Sequence, residues 1–482
     1  MSYINDAKQM KFEVLKNVAK LAYNDELEKL LKLPYEIIKG KRAKYRCCVY
    51  KEREIIRERA ILASGNNIDS ESPDANVFVV PAACEGCPIN RYTVTENCQK
   101  CLAKKCVAAC KFGAITVTGR GAYIDPEKCK ECGKCKEACP YNAISDTMRP
   151  CVRACPVKAI SMDQEKQAKI EYDKCISCGA CMAGCPFGAI SDKSHIVEVI
   201  KKIKSNEKVV AVFAPALEGQ FGKHDVASLK TAIKKLGFDE VYEVALGADA
   251  TAFYEAKELK ENKEKDKKMT TSCCPAFVLM IKKHYKDLLP LVSTTASPMT
   301  SIARYIKKND EKAKVVFIGP CIAKKQEIKD VENTADYVLT FEELVAMFSA
   351  KGIKVEQTEE LIQDGSLYGK NFSLSSGVSK SIEKAFKEQF GDEDISCRVC
   401  AGGDECKKAL LFLKAERLPE DIIEGMICKN GCISGPGVIA PYNVAIKNRK
   451  ESFKNLENLD ISKNLKKHGF ENIDMHVKHK EN

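Results

Sequence analysis

Cysteine is the residue type whose number and spacing indicate chemistry in this 482-residue chain, which holds 26 cysteines and six histidines. Two runs, residues 129–140 and 175–186, share the spacing C-x2-C-x2-C-x3-C-P. Three close thiolates and a fourth before proline are typical ligands of 4Fe–4S cubes, and in two-cube proteins the fourth ligates the neighbouring cube. Zinc usually takes two separated CxxC pairs, so the spacing favours iron–sulfur clusters over zinc.

A short internal repeat extends this pattern over residues 84–185. Cys110, Cys139, Cys155 and Cys185 are each followed by three residues and the pair Ala-Ile. Such a repeat marks one structural unit that is used four times. Each unit is therefore expected to carry part of a ferredoxin-like cluster site.

Sixteen cysteines lie in this region, enough for four cubes with four ligands each. The expected ligands are Cys98, Cys101, Cys106 and Cys110; Cys129, Cys132, Cys135 and Cys139; Cys175, Cys178, Cys181 and Cys185; and Cys151 and Cys155 with Cys84 and Cys87. In a two-cluster ferredoxin fold the first two sets exchange their last cysteines. The alternative is two or three cubes, with Cys84 and Cys87 unligated.

Several cubes in series suit the relay of single electrons between a surface partner and a buried catalytic site. The chain has a net charge of +11, and residues 1–60 hold fifteen Lys or Arg against nine Asp or Glu. This excess favours an acidic electron carrier such as ferredoxin, although a Lys-rich solvated surface would give the same composition. No nucleic-acid-binding motif with interleaved aromatic residues is present, so we expect no nucleic-acid partner.

The elements that must position these thiolates change along the chain. Residues 1–80 place apolar side chains at helical spacing. Beyond residue 195, buried strands are predicted at Val209–Phe213, Val241–Leu246 and Val315–Ile318, with helical patterns between them. This alternation predicts an α/β domain with mainly parallel sheet.

The predicted organisation has four parts. They are a helical N-terminal segment (1–80), an α+β ferredoxin-like region (81–195), an α/β catalytic domain (196–445) and a polar tail (446–482). The N-terminus lacks a basic run followed by an apolar stretch, and no window approaches 18 consecutive apolar residues. We therefore expect a cytoplasmic protein with no signal peptide and no membrane span.

Three further cysteine motifs occupy the α/β half: TSCCPAF at 271–277, PCIAKKQE at 320–327 and EGMICKNGCISGPG at 424–437. Each motif alone is compatible with a buried structural cysteine. Together they resemble the signatures of the FeFe hydrogenases, which read TSCCPxW, PCxxKxxE and ExMxCxxGCxxGxG. The resemblance covers nearly all of residues 81–440 and implies the two-lobed catalytic fold of that family, with parallel sheets.

The resemblance also implies a cofactor, the H-cluster, in which a 4Fe–4S cube is joined through one cysteine to a di-iron unit with carbon monoxide, cyanide and a bridging azadithiolate. The positions that match the family's cube ligands are Cys274, Cys321, Cys428 and Cys432. Of these, Cys432 would bridge to the di-iron unit. The remaining matches are Lys324 as a hydrogen-bond donor to cyanide, Met426 beside the di-iron unit, and Pro215 and Ala216 in the cyanide pocket.

A proton path is implied in the same way. Cys273 matches the family's thiol beside the azadithiolate amine, and Glu255, Glu258 and Ser293 match the groups that lead outward. A thiol, two carboxyls and a hydroxyl form a chain of exchangeable groups. From their spacing of three alone, the two glutamates would be taken as solvated charges on one helix face.

Several positions depart from the family pattern and resemble the group B subfamily. Phe277 replaces Trp, Gly319 replaces Met, and Pro436 breaks a Gly run. The remaining unassigned cysteines are Cys397, Cys400 and Cys406, read as structural or redox thiols with an extra cluster as the alternative, and the adjacent pair Cys47 and Cys48, read as structural.

These resemblances predict a ferredoxin-dependent hydrogenase that interconverts protons, electrons and H2, with two to four accessory 4Fe–4S clusters. Its expected partners are ferredoxin or a similar acidic carrier and the di-iron maturation machinery. One alternative is a hydrogen or redox sensor with low turnover. Another is an iron–sulfur electron-transfer protein or assembly factor without the di-iron unit.

Overall fold

The computed structural model describes residues 5–46, 48–68, 72–84, 87, 90–358, 363–453 and 456–479. The N-terminal segment forms three helices: α1 (Asp6–Tyr23), α2 (Leu33–Ile37) and α3 (Val49–Ala63). Asn5 caps α1 by accepting the Lys8 N–H at 2.9 Å. One apolar face of α1, including Val14, Val18 and Ala22, is buried in the main core.

Short strands and one-turn helices follow, as expected for a ferredoxin-like region. In chain order they are β1 (Val77–Val79), α4 (Pro81–Cys84), β2 (Tyr92–Val94), α5 (Lys105–Ala109), β3 (Ile115–Thr118), β4 (Gly121–Ile124), α6 (Lys134–Ala138), β5 (Ile144–Asp146), α7 (Pro150–Ala154), β6 (Ile160–Met162), β7 (Ala168–Ile170), α8 (Ala180–Gly184) and β8 (Ile190–Asp192). The pairs β1–β8, β2–β5, β3–β4 and β6–β7 are antiparallel. Each repeat thus supplies one helical turn, which ends at a cysteine, and one strand.

The part of the chain beyond residue 195 alternates longer helices and parallel strands. Its elements are α9 (Ile196–Lys204), β9 (Val209–Phe213), α10 (Val226–Lys234), β10 (Glu240–Glu243), α11 (Val244–Glu264), β11 (Met269–Thr270), α12 (Pro275–His284), α13 (Pro298–Asn309), β12 (Lys314–Ile318), α14 (Lys324–Asp330), β13 (Tyr337–Leu339), α15 (Phe341–Lys351), α16 (Leu367–Asn371), α17 (Gly377–Phe390), β14 (Cys397–Ala401), α18 (Gly403–Lys414), β15 (Ile422–Met426), α19 (Tyr442–Ser452) and α20 (Ile461–Lys467).

Two parallel sheets organise this half, and the predicted two-lobed α/β fold is confirmed. One has the order β10-β9-β12-β13 and the other β11-β15-β14. Strand β9, with the sequence VVAVF, is buried along its whole length, as expected for a central parallel strand. Within the described ranges no helix is long and apolar enough to cross a membrane.

Two segments differ from the sequence prediction. The strand predicted at Val241–Leu246 ends at Glu243, because the Ala-, Glu- and Lys-rich stretch that follows is the 21-residue helix α11. The predicted boundary at 445/446 falls inside α19. Beyond it, α20 packs against α11 and α17, and residues 473–479 run along the segment before α13.

Candidate metal centre

Each of the four repeats ends its helical turn with a sulfur atom that accepts a backbone hydrogen bond. Cys110, Cys139, Cys155 and Cys185 are the C-cap residues of α5, α6, α7 and α8. Each Sγ lies 3.2–3.4 Å from the backbone nitrogen four residues later. Hydrogen bonds to sulfur stabilise cluster-bound thiolates and tune their potential, so this geometry fits iron–sulfur ligation.

The first two cysteine sets, in residues 98–110 and 129–139, lie in one small core with the strand pairs β2–β5 and β3–β4. Burial raises the pKa of Cys106, and the nearby charges of Cys139 and Cys101 add to this. Cys139 therefore stands beside the 98–106 set, as the exchange of last ligands requires. Burial and the neighbouring thiolates of its own set likewise raise the pKa of Cys135.

Cys84 and Cys87 lie beside the incomplete repeat. Cys84 Sγ accepts the Ala168 N–H at 3.3 Å. Burial raises the pKa of Cys151 to about 11, and the charges of Cys185, Cys84 and Cys87 contribute. The structure thus brings together four thiols that the sequence separates by a hundred residues.

Cys155 lies beside the cysteines of the last C-x2-C-x2-C run, in residues 175–181. Burial raises the pKa of Cys181, and the charges of Cys178, Cys175 and Cys155 contribute. Cys155 therefore lies with Cys175, Cys178 and Cys181, whereas Cys185 lies with Cys84, Cys87 and Cys151. Cys178 also lies near Cys274, which places this set next to the catalytic cysteines.

Two buried arginines face the set that contains Cys84 and Cys87. Arg149, 9% exposed, lies near Cys87, and its Nη1 has no hydrogen-bond partner within the described ranges. Arg59, 5% exposed, lies near Cys185 and donates from Nη2 to the Gly188 carbonyl at 2.6 Å. Buried charges are screened only weakly by salt and water. The positive charge of both guanidinium groups would therefore be felt by a cluster bound to these thiolates.

The four cysteines that match the expected H-cluster ligands meet between the carboxyl ends of strands from both sheets. Cys274 caps α12, Cys321 lies between β12 and α14, and Cys428 and Cys432 follow β15. Burial raises the pKa of Cys428, with contributions from Cys321, Cys432 and Cys274. In the described part of the chain no three His, Cys, Asp or Glu side chains group as ligands of a single ion. The ligands of a cube each bind a different iron, and these four thiols have the chemistry to do so.

The catalytic ligands touch the neighbouring set through a glycine. Gly179, between Cys178 and Cys181, has φ +73°. A Cβ there would lie 2.7 Å from Pro436 Cγ, so the two ligand loops meet with no room for a side chain. Pro436, a departure from the family pattern, therefore packs directly against the loop that holds Cys178 and Cys181.

Lys324 is fixed in the wall of this site. Its Nζ donates to Glu327 Oε2 at 2.6 Å and to Ser297 Oγ at 2.9 Å, and both side chains of the ion pair are buried. Met426 is buried at the end of β15. Pro215 and Ala216 are buried in the turn after β9, where the Ala214 N–H bonds the Ile318 carbonyl at 2.8 Å.

The four groups of the expected proton path follow one another in space, from Cys273 through Glu255 and Ser293 to Glu258. Burial and then the Glu255 carboxylate raise the pKa of Cys273. Glu255 accepts the Ser272 N–H at 2.9 Å and also interacts with the Ser293 hydroxyl. Ser293 Oγ donates to Glu258 at 2.6 Å, and Glu258 is half-buried. These four side chains therefore lead from the four converging thiols to the half-buried Glu258.

Comparison with known proteins supports this arrangement. The model of the iron-only hydrogenase large subunit, C-terminal domain, matches residues 207–436. Iron hydrogenase 1 of Clostridium pasteurianum is 30% identical over 396 residues, which cover 70% of this chain and 67% of that protein. The chain belongs to the iron-only hydrogenase family.

Other matches agree with the family assignment. The large subunit of the periplasmic [Fe] hydrogenase of Nitratidesulfovibrio vulgaris is 29% identical over 308 residues, covering 51% of this chain and 72% of that subunit. A 4Fe–4S binding domain model matches residues 122–145, and the LdpA Fe-S cluster-binding domain model matches 145–196. The cytosolic Fe-S cluster assembly factor narfl of Danio rerio is 23% identical over 323 residues, covering 53% of this chain and 78% of that protein.

Two departures of this chain from the family pattern are explained by packing. Phe277 is fully buried, and a Cβ on Gly425 would lie 2.2 Å from its ring. A Cβ on Gly319 would lie 2.3 Å from the ring of Phe317. The two phenylalanine rings therefore lie directly against backbone that carries no side chain.

The surroundings of the additional cysteines favour the thiol over the thiolate form. Cys397 and Cys400 lie on β14 and Cys406 on α18. Burial raises the pKa of Cys400 to about 11, and Cys406 Sγ donates to the Met426 carbonyl at 3.5 Å. Cys48 precedes α3, and Cys47 lies outside the described residues.

Sequence reasoning gave no role to several residues that support the site. Glu424 opens the third motif and accepts from the Ser376 and Ser379 backbone at 2.9 and 2.8 Å, which anchors β15 to α17. The position of Glu424 within the third motif could have indicated its supporting role. No sequence pattern indicated a role for Arg59 or Arg149, because their partners are distant in sequence.

Proposed function

We propose that this chain is a hydrogenase that catalyses 2H⁺ + 2e⁻ ⇌ H2 at an H-cluster. Cys274, Cys321, Cys428 and Cys432 would hold the cube, with Cys432 as the bridge to the di-iron unit. When bound, that unit supplies the metal centre at which protons and electrons combine. The observation that carries the proposal is the buried chain of proton-exchanging groups, which leads from the surface to four converging thiols.

Lys324 would donate a charge-assisted hydrogen bond to the cyanide of the bound unit. Its ion pair with Glu327 and its contact with Ser297 hold the ammonium group in one position. Pro215, Ala216 and Met426 would line the rest of the pocket and exclude water. Maturation proteins are required partners, since the di-iron unit is not a simple inorganic cluster.

The proton path would work by stepwise transfer. In the direction of H2 formation, Glu258 takes a proton near the surface and the Ser293 hydroxyl passes one to Glu255. Burial raises the pKa of Glu255 to about 8, with a contribution from Glu258, so the carboxyl holds a proton at neutral pH. The Cys273 thiol passes its own proton into the pocket and is reprotonated by Glu255, which is reprotonated in turn through Ser293.

Electrons would enter through the ferredoxin-like region from an acidic carrier. Residues 98–141 hold nine Lys or Arg against four Asp or Glu. Exposed apolar side chains lie among them, with Leu102 98% exposed and Phe112, Tyr123 and Tyr141 also on the surface. By contrast, Lys11 from the basic N-terminal segment is paired with Asp192 and Glu342. This contrast favours residues 98–141 over residues 1–60 as the docking surface.

The docking proposal is tested with charge reversals at two exposed lysines. Lys111→Glu should raise KM for reduced ferredoxin, increasingly so at low salt, and should leave the rate with a small dye unchanged. Lys32→Glu, in the N-terminal segment, should have little effect on either. A larger effect at Lys32 than at Lys111 would contradict this location.

The proposed reaction is tested by H2 formation after anaerobic maturation, with a reduced dye as electron donor. The wild-type protein should produce H2. Cys432→Ala should keep the accessory iron and produce none. Wild-type protein that contains the di-iron unit but yields no H2 and no H2 uptake would contradict the proposal.

An assembly-factor role without a di-iron unit is the second candidate, and the similarity to narfl favours it. Such a role requires no proton transfer, so Glu255 would be dispensable. A wild-type protein that takes up cubes but never a di-iron unit would support this candidate.

A further inference from the structure

The C-terminal segment 473–479 lies against the outer part of the proton path. The Val477 N–H donates to the Thr294 carbonyl at 2.7 Å, and the Ala296 N–H donates to the Met475 carbonyl at 2.7 Å. These bonds fix the segment on both sides of Thr295. The polar composition of this region gave no sign of such packing.

The segment ends with His479 beside Ser293. Its Nε2 lies 2.9 Å from the Ser293 carbonyl oxygen. A carbonyl oxygen accepts hydrogen bonds, so this contact assigns the proton to Nε2 and leaves Nδ1 of the neutral ring as an acceptor. His476, in contrast, is exposed on the other side of the segment.

A cavity of about 70 Å³ lies beneath the segment. His479, Ser272, Thr295, Ser297 and Glu327 are among its lining residues. A water molecule needs roughly 10–15 Å³ of such space and two to four polar partners, so this cavity has room for several. The cavity therefore has room for water between the imidazole ring and the Ser272 hydroxyl.

Ser272 reaches the proton path directly. Its Oγ lies 3.2 Å from Glu255 Oε1 and 2.6 Å from the Thr295 carbonyl oxygen. The second oxygen of Glu255, Oε2, is buried and has no hydrogen-bond partner in the described part of the chain. Glu255 thus interacts with both Ser293 and Ser272.

We propose that the His479 cavity is a second branch of the proton path, which joins the first at Glu255. The imidazole takes a proton at Nδ1 from outside water and releases it from the same nitrogen to cavity water. The Ser272 hydroxyl accepts that proton while it passes its own to Glu255, so each relay group returns to its starting state. The inference rests on the proposed function, because it supplies protons to the same site.

The surroundings of His479 lower its pKa on balance, so the ring is neutral near pH 7. Burial lowers its pKa, and the Ser293 carbonyl opposes this. Glu258 on α11 and Glu327 on α14 also oppose it, whereas Lys282 on α12 lowers the pKa further. A ring that is neutral near pH 7 can accept and return a proton at that pH.

Turnover of two single variants and their combination tests the branching. Either branch alone supplies Glu255, so Glu258→Gln and His479→Gln should each lose no more than about threefold, whereas the combined variant should lose ~10²-fold, the scale of a missing acid–base route. His476→Gln is the matched control and should behave as wild type. The second branch is wrong if Glu258→Gln alone is as slow as the combined variant. It is also wrong if His479→Gln lowers turnover neither in the wild type nor in Glu258→Gln.

Nuclear magnetic resonance of the histidine rings gives a readout that does not depend on turnover. The His479 signal, identified by its loss in His479→Gln, should titrate, and its pKa should fall in Glu258→Gln while that of His476 does not. A His479 ring that ignores pH would overturn the inference. If wild-type protein makes no H2, the proposed function fails, and the titration still decides whether His479 exchanges protons beside Glu258.

Discussion

Glu255→Gln is the substitution that separates proton delivery from cluster assembly. The amide keeps the length of the side chain, and its oxygen can still accept the Ser272 N–H, which lies at 2.9 Å from Glu255 Oε1. The amide cannot carry a proton to Cys273. We therefore expect an intact metal centre and a large loss of turnover.

The free-energy cost of ionising Glu255 follows from the burial of its carboxyl group. Burial, and then the charge of Glu258, raise its pKa from 4.5 to about 8, equivalent to ~5 kcal/mol in favour of the protonated form. For a raised pKa, the associated stability is fully present below pH 4.5 and is lost as the pH rises toward about 8. H2 formation by the wild-type protein should fall above pH 8, because the ionised carboxyl has no proton to give.

The assay combines three measurements on one preparation. Turnover of Glu255→Gln should fall by ~10²-fold or more, the scale for a lost acid–base group. An infrared carboxyl band should disappear near pH 8 in the wild type and be missing in the variant at every pH. The infrared bands of the bound carbon monoxide and cyanide should be nearly unchanged.

Glu261→Gln serves as the control, since Glu261 is exposed on the same helix, α11. It should leave turnover and the carboxyl band unchanged. A Glu255→Gln variant that works at the wild-type rate would refute the reasoning, because both branches of the path pass through this carboxyl.

Three further predictions concern the thiols and their surroundings. Cys273→Ala should keep the full cluster spectrum but lose ~10²-fold in turnover, whereas Cys274→Ala should lose cluster occupancy; equal occupancy with unchanged turnover in both would contradict the assigned roles. Cys84→Ser should lower the iron content of the intact protein by about one cube, and unchanged iron would show that Cys84 is not a ligand. Arg149→Gln should shift the midpoint potential of one accessory cluster to more negative values in a redox titration, whereas Arg153→Gln, exposed on the same helix, should not; identical potentials would argue against a buried positive charge at that cluster.

Local spacing predicted the parts of the cluster region that depend on local structure. The C-x2-C-x2-C runs fix where one-turn helices end, and the structure places their sulfurs beside backbone N–H groups. The partner of the incomplete repeat was harder to predict, because Cys84 meets Ala168 across 84 residues. Such a contact depends on the strand pairing β6–β7 and has no local signal.

The remaining differences have a similar cause. The strand predicted at Val241–Leu246 was too long because apolar residues continue across the junction into α11, where helix propensity decides. The C-terminal segment is polar, and its docking depends on backbone pairing at Thr294 and Ala296, which the sequence does not reveal. The basic excess of residues 1–60 indicated a docking surface, but Lys11 is used in internal ion pairs.

An infrared spectrum of the anaerobically matured protein tests the central claim most directly. The account predicts bands from carbon monoxide and cyanide bound to a di-iron unit, present in the wild type and absent in Cys432→Ala. A matured wild-type protein with its cubes filled and no such bands would contradict the account, provided that the same maturation system loads a known hydrogenase in parallel.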